Sequence, residues 1–240
     1  MCGRCGTEHI NRRHMLRLAG LGVAAAGLSL GGMPALAANR GKAGLSPDEA
    51  LATLKEGNAR YVDNPQVCLA DLAKARADVA THQEPWAIVV GCSDSRVPPE
   101  LLFGGLGLGQ LFVARNAGNM VDTPTMGTVE YGADPLGASL VVVLGHQACG
   151  AVAAACEAVT KHATFPGSIG PMVKPIIPAA RAVRDRPGDF VDNAVRESAK
   201  RTAHQLATAS PILSRLVKEG KMKVVPAYYA LNDGKVEFLA

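Results

Sequence analysis

The chain has 240 residues, 48% of them apolar, enough to bury a substantial core in one domain with a terminal piece appended. Its formal charge of +4 comes from 25 basic and 21 acidic residues; without residues 1–37, which carry Arg4, Arg12, Arg13, Arg17 and Glu8, these become 21 and 20, a net +1. That balance, with no arginine-rich stripe and no aromatic ladder, argues against a nucleic-acid partner.

The first segment reads as a targeting sequence. Arg12-Arg13 and Arg17 precede an uncharged stretch, residues 18–36, rich in Ala, Gly and Leu, and Ala35-Leu36-Ala37-Ala38 supplies small residues for cleavage after about Ala37. This resembles a twin-arginine export signal, which predicts a periplasmic or otherwise exported protein that meets the export machinery during translocation. The alternative is a membrane anchor. Five glycines and Pro34 make it a poor spanning helix, so no stable anchor is expected after signal removal. Cys2 and Cys5 would leave with the signal. Cys68, Cys92, Cys149 and Cys156 remain, and an oxidising compartment would permit disulfides among those not holding a metal.

Residues 38–45 read as a flexible lead, and residues 38–82 as a linker and N-terminal helical arm. Ser46-Pro47-Asp48-Glu49 has the order of a capping box with proline at the first helical position, which predicts a helix to about Val62. Its apolar stripe, Leu51, Leu54 and Tyr61/Val62, is interrupted by Asn58; such a stripe covers its own sheet or a second subunit. A second helix is predicted over residues 69–81.

From Trp86 the texture changes to continuous apolar, β-branched runs at residues 86–91, 111–114, 139–144 and 222–227, as in strands covered on both faces. Helical patterns alternate with them at residues 123–132, 149–162 and 189–209, and Ser210-Pro211 opens one more. The proline-rich residues 165–178 read as a loop between helices. Asp233-Gly234 predicts a hairpin turn between residues 228–231 and 235–239. The expected class is α/β, a mostly parallel central sheet flanked by helices, with an antiparallel C-terminal edge; residues 83–240 form the domain that carries the chemistry.

Two strand ends carry unusual chemistry. Cys92-Ser93-Asp94-Ser95-Arg96 follows the first run and His146-Gln147-Ala148-Cys149 the third. In parallel sheets ligands bind beyond the carboxyl ends of strands. Two thiolates and one imidazole suit a tetrahedral zinc whose fourth position is open or held by Asp94. Glu157 and His162, on the following helix, read as surface residues.

Cys92-x-Asp94-Ser95-Arg96, then Phe112-Val113-Ala114-Arg115-Asn116-Ala117-Gly118-Asn119, then Gly145-His146-x-x-Cys149-Gly150, in this order, resemble the β-class carbonic anhydrases. The resemblance runs from about Ser46 through the Asp233-Gly234 turn. It implies one Zn2+ per subunit on Cys92, His146 and Cys149, and reversible hydration of carbon dioxide to bicarbonate and a proton by zinc-bound hydroxide. Asp94 and Arg96 would be the catalytic dyad, with Asp94 moving onto zinc in a closed form. Gln83, Val97, Phe112, Ala117 and Tyr131 would line the substrate pocket. Gln83 and Tyr131 would act across a subunit interface, in a homodimer or dimer of dimers whose N-terminal helices wrap around the partner.

Departures from the family pattern fall at the rim. Ala117 replaces a bulkier residue. Val89 stands where some bacterial members place the tryptophan of a regulatory bicarbonate site, whose other members would match Arg115 and Tyr131. Gly104-Gly105 lengthens one loop. His82 and His162 are minor candidates for proton transfer. Hydrolysis of carbon disulfide or carbonyl sulfide on the same scaffold, and zinc or bicarbonate binding without turnover, are the alternative functions.

Overall fold

The computed structural model describes residues 44–65 and 72–240. The export signal, Cys2, Cys5, Cys68, most of the lead and the start of the second predicted helix lie outside the described residues. Among those described, no helix is long and apolar enough to cross a membrane.

Helix α1 is Pro47–Asp63. Ser46 Oγ accepts the Glu49 N–H while the Glu49 carboxylate accepts the Ser46 N–H, the reciprocal box that the sequence predicts. Helix α2 is Leu72–Asp78. The remaining elements are β1 (Ala87–Cys92), α3 (Pro99–Leu102), β2 (Leu111–Asn116), α4 (Thr123–Ala133), β3 (Leu140–His146), α5 (Gly150–Lys161), α6 (Ile169–Val173), α7 (Ile177–Ala182), α8 (Phe190–Ala209), α9 (Pro211–Lys218), β4 (Lys223–Tyr229) and β5 (Val236–Phe238).

The sheet has the order β2-β1-β3-β4-β5, parallel except for the antiparallel β4–β5 pair. β1 and β3 are buried at every residue, so their apolar runs face helices on both sides. Alternate residues divide the core. Ile88, Val90, Val141 and Val143 pack with α4, α8 and α9 on one face. Ala87, Val89, Leu140 and Val142 meet Ala50 and Leu54 of α1 and Leu102 and Phe103 on the other. The α1 stripe therefore covers its own sheet.

Asn58, which interrupts that stripe, is buried and satisfied. Its Nδ2 donates to the carbonyls of Leu102 and Gly234 at 3.0 and 2.9 Å, and its Oδ1 accepts the Val236 N–H at 2.8 Å. Next to it Gly57 lies against Phe103; a Cβ there would stand 2.1 Å from the Phe103 carbonyl oxygen. The two residues seat α1 against both the α3 turn and the β4–β5 turn.

Two expectations are corrected. Residues 165–178 are not a loop: α6, a 3-10 turn at Lys174–Ile176 and the start of α7 occupy most of them. Pro175 and Pro178 fall in the first turns of their segments, where a missing N–H leaves no helical bond unmade. Burial of Val173, Ile176, Ala179 and Ala180 then holds the short turns in place. The apolar run at residues 222–227 and the hairpin arm at residues 228–231, read as separate segments, are also joined, because β4 runs unbroken through Pro226 to Tyr229. Pro226 O accepts the Leu239 N–H, so the proline nitrogen turns toward the edge side of β4, where β3 needs no donor from it.

Candidate metal centre

β1 lies between β2 and β3, so the chain leaves β1 in one direction and comes back to its other side. Such a reversal opens a crevice beyond the carboxyl ends of the strands involved. Cys92 is the last residue of β1 and His146 the last of β3. Three residues further, Cys149 is the N-cap of α5, with its own side chain making no capping bond. The three ligand atoms lie within 4.8 Å of one another and all three residues are buried.

This set fits zinc. Tetrahedral bonds of about 2.0 to 2.3 Å place ligand atoms roughly 3.3 to 3.8 Å apart, a spacing compatible with three atoms that all lie within 4.8 Å of one another. His146 Nε2 is buried without a hydrogen-bond partner, the state expected of a lone pair reserved for a metal. Its Nδ1 lies 2.9 Å from the Gln147 carbonyl, which can only accept, so Nδ1 carries the proton. Without metal, the neighbouring Cys149 thiol brings the Cys92 thiol down to about 4 against the opposing effect of burial, while the same contact and burial push the Cys149 thiol up. Two thiolates balance the charge of one divalent ion.

The carboxylate beside the cluster is fixed from two directions. Arg96 grips Asp94 through Nε on Oδ1 at 2.9 Å and Nη2 on Oδ2 at 2.8 Å, and the Arg96 N–H also donates to Oδ1 at 3.0 Å. This grip holds the Asp94 carboxyl well below the usual carboxylate range. Asp94 Oδ2 is 3.9 Å from His146 Nε2, close enough to face whatever that nitrogen binds. Behind it, Arg115 donates from Nε to the Cys92 carbonyl at 2.9 Å and from Nη2 to the Asp94 carbonyl at 2.6 Å. Gly118 N donates to Cys92 Sγ at 3.4 Å.

Arg115 and Gly118 were legible only as letters of a motif. A residue that works by gripping main chain leaves no pattern of type and spacing that predicts its partner. Asn116 belongs with them: its amide exchanges bonds with both main-chain groups of Met120 and closes the loop that carries Ala117 and Gly118.

The expected pocket residues divide. Ala117 is half-buried one residue before Gly118, at the metal end of β2. Val97 is fully buried in the α1-side core and donates its N–H to the Asp94 carbonyl, supporting the turn from beneath. Phe112 pairs with Ile88, four residues back from the Cys92–Asn116 pair, about 13 Å along the strand. Its ring lies 6.1 Å from that of Tyr131. Gln83 is exposed ahead of β1. The structure therefore does not bring Gln83, Phe112 and Tyr131 to the metal cluster of their own protomer. Glu157 is exposed and paired with Lys161, and His162 is exposed at the C-cap of α5.

Comparison with known proteins agrees with this geometry. The profile of the family described as "Carbonic anhydrase" matches residues 87–236. "Carbonic anhydrase" of Mycolicibacterium smegmatis is 35% identical over 192 residues, 80% of this chain and 93% of that protein. "Carbonic anhydrase 2" of Mycobacterium tuberculosis (strain H37Rv) is 34% identical over 190 residues, 79% and 91% of the two chains. Among solved structures, the β-carbonic anhydrase of Coccomyxa in complex with acetazolamide superposes with a TM-score of 0.61 at 27% identity, covering 79% of this chain and 86% of that one. One of two tetrameric β-carbonic anhydrases of Sordaria macrospora gives 0.62 over 80% and 95%, and at 22% identity it speaks for the fold alone.

The chain belongs to the β-class carbonic anhydrase family. Membership and the intact Cys-His-Cys triad make it an enzyme of the carbonic anhydrase type.

Proposed function

We propose that the protein binds one zinc ion per subunit on Cys92, His146 and Cys149 and catalyses the reversible hydration of carbon dioxide to bicarbonate. The observation that carries this reading is the convergence of three buried ligand atoms beside a carboxylate already committed to an arginine. Zinc, when bound, supplies a water whose pKa falls from 15.7 to about 7, a nucleophile available at neutral pH.

The chain's own residues do the rest. Asp94, kept anionic by Arg96, accepts a hydrogen bond from the nucleophile and aims its lone pair. Arg96 spends both nitrogens of its fork on Asp94, which would hold the carboxylate beside the three residues that would bind zinc, ready to accept a hydrogen bond. Cys92, Cys149, Met120, Phe165, Val173 and Ile176 share one apolar cluster, which suits a nonpolar substrate and keeps bulk water out.

A second copy completes the pocket in this reading. Gln83, Phe112 and Tyr131 lie too far along the strands to serve their own metal, and β2 is an apolar, half-buried strand at the sheet edge, with no strand among the described residues on its outer side. An edge of that kind invites pairing with another chain. The active unit is accordingly a homodimer or a dimer of dimers, with Gln83 and Tyr131 reaching the partner's site. The Arg12-Arg13 segment supports export to the periplasm, and folding around zinc before translocation agrees with a route that carries folded cargo.

The test is stopped-flow hydration of carbon dioxide by zinc-loaded protein beginning near Ala38, with hydrolysis of carbonyl sulfide and carbon disulfide measured on the same preparation. Rapid hydration with negligible hydrolysis is expected. Hydrolysis without hydration moves the function to the sulfur substrates, and neither activity at full zinc occupancy leaves a binding protein. Cell fractionation of the full chain and of its R12K/R13K variant tests export separately: the variant should stay in the cytoplasm.

A further inference from the structure

Between the two ligands of the loop that joins β3 to α5 sits Gln147, and its bonds run in two directions. Its carbonyl accepts His146 Nδ1–H at 2.9 Å. Its own N–H donates to the Tyr229 carbonyl at 2.8 Å, and its side-chain Oε1 accepts the main-chain N–H groups of Leu231 and Asn232 at 2.9 and 3.3 Å. One residue therefore touches the ligand's imidazole on one side and the β4–β5 turn on the other.

The neighbouring backbone needs such a tie. Ala148 has φ of 53°, a left-handed conformation that a residue with a Cβ adopts only when its surroundings impose it. If the loop relaxed there, Cys149 would swing away from Cys92 and the Gln147 carbonyl would leave Nδ1. The turn is a firm anchor because Asn58 grips it from the α1 side, through Gly234 O and the Val236 N–H.

From this geometry we infer that Gln147 is a positioning residue for the metal, tying the ligand loop to the β4–β5 turn so that His146 keeps its Nδ1–H tautomer and Cys149 its place. The inference rests on the zinc reading given above. Gln147 acts through His146 and Cys149 and needs no contact with substrate. Partners that orient metal ligands commonly change metal affinity by about 10- to 100-fold when removed.

The experiment compares the unaltered protein with Gln147→Leu and Gln147→Glu. It follows zinc release to a chromophoric chelator, the visible spectrum of the cobalt-substituted proteins, and the ¹⁵N–¹H correlations of the His146 ring in the metal-free proteins. Leu keeps the bulk and loses the acceptor. Zinc release should quicken about 10-fold or more, the cobalt bands should shift, and the imidazole should show mixed tautomers. Glu still accepts both turn amides, so it should restore most of the parent's release rate and its single tautomer.

A merely structural role would lower the melting temperature of metal-free Gln147→Leu and leave release, spectrum and tautomer unchanged, which would overturn the inference. Equal behaviour of the Leu and Glu variants would overturn it too. Should Gln147→Leu not fold, Gln147→Asn carries the same expectation, its amide being one methylene too short to reach the turn. An unaltered protein that takes up no zinc overturns the metal reading itself, and the inference with it; normal zinc uptake with an indifferent Gln147 overturns only the inference.

Discussion

Arg96 holds Asp94 by two parallel hydrogen bonds, Nε to Oδ1 at 2.9 Å and Nη2 to Oδ2 at 2.8 Å, and this fork aims the carboxylate past His146. Asp94→Asn keeps the size of the side chain but removes its charge and one acceptor. Zinc content should stay at one per subunit while kcat falls about 100-fold or more, in the range lost with a positioned acid–base group. Arg96→Lys should act in the same direction, since an ammonium cannot reproduce the fork. The pH dependence follows from the lowered Asp94 pKa. The folded carboxyl releases its proton more readily than the unfolded one, so the pair's contribution to stability is complete above the ordinary value of 3.8 and is lost as pH falls below it. Denaturation of the parent and of Arg96→Gln should differ by a constant amount from pH 5 to 8, and the difference should close in stronger acid.

Gly118 should tolerate no side chain. Its φ is 82°, and an added Cβ would stand 2.7 Å from Ile176 Cδ1 and 3.1 Å from Ala151 Cβ. The same residue donates its N–H to Cys92 Sγ. Gly118→Ala is expected to cost about 2 kcal/mol or more in chemical denaturation and to weaken zinc binding, because it displaces the donor along with the backbone. Ile176→Val in that background should recover part of the loss while costing about 1 kcal/mol alone, and a double-mutant cycle reads the coupling directly.

Asn58→Leu suits the α1 stripe by composition and should nevertheless destabilise the protein. It strands the Leu102 and Gly234 carbonyls and the Val236 N–H, all three of which Asn58 satisfies. About 2 to 4 kcal/mol should be lost in urea or thermal unfolding. Asn58→Asp should be no better, since a buried carboxylate cannot donate to those carbonyls.

The cysteines should separate by reactivity. In the zinc-loaded protein Cys92 and Cys149 should resist alkylation; after chelation Cys92, brought down to about 4, should react before Cys149, whose thiol is pushed up. Burial, with Asp189 nearby, pushes the Cys156 thiol up to about 11, so Cys156 should stay unmodified near pH 8 with or without metal. Its protonated form favours the fold: that contribution is whole below the ordinary value of 9.0 and lost as pH rises toward 11. Peptide mass mapping after timed alkylation checks each site.

Much of this arrangement was legible because it rests on local chemistry. The Ser46 box, the buried runs of β1 and β3 and the ligands at their carboxyl ends each follow from residue type and spacing. What escaped depends on partners distant in sequence. Asn58 looked like a flaw in a stripe because its three partners sit 44, 176 and 178 residues away. Residues 165–178 looked like a loop because prolines discourage helix, yet two of them open turns that burial of Val173, Ile176 and Ala180 holds together. Arg115 and Gln147 grip main chain, and any backbone amide or carbonyl serves that purpose, so no sequence pattern marks their targets. Phe112, Tyr131 and Gln83 were placed by family resemblance, which carries no information on which protomer's metal end a side chain faces.

The most direct test of the central claim is a zinc titration of the metal-free protein in which hydration of carbon dioxide is recorded at each addition. The rate should rise linearly and break sharply at one equivalent per subunit, with Cys149→Ala showing neither the rise nor the break. Full occupancy at one equivalent without acceleration over buffer would contradict the account.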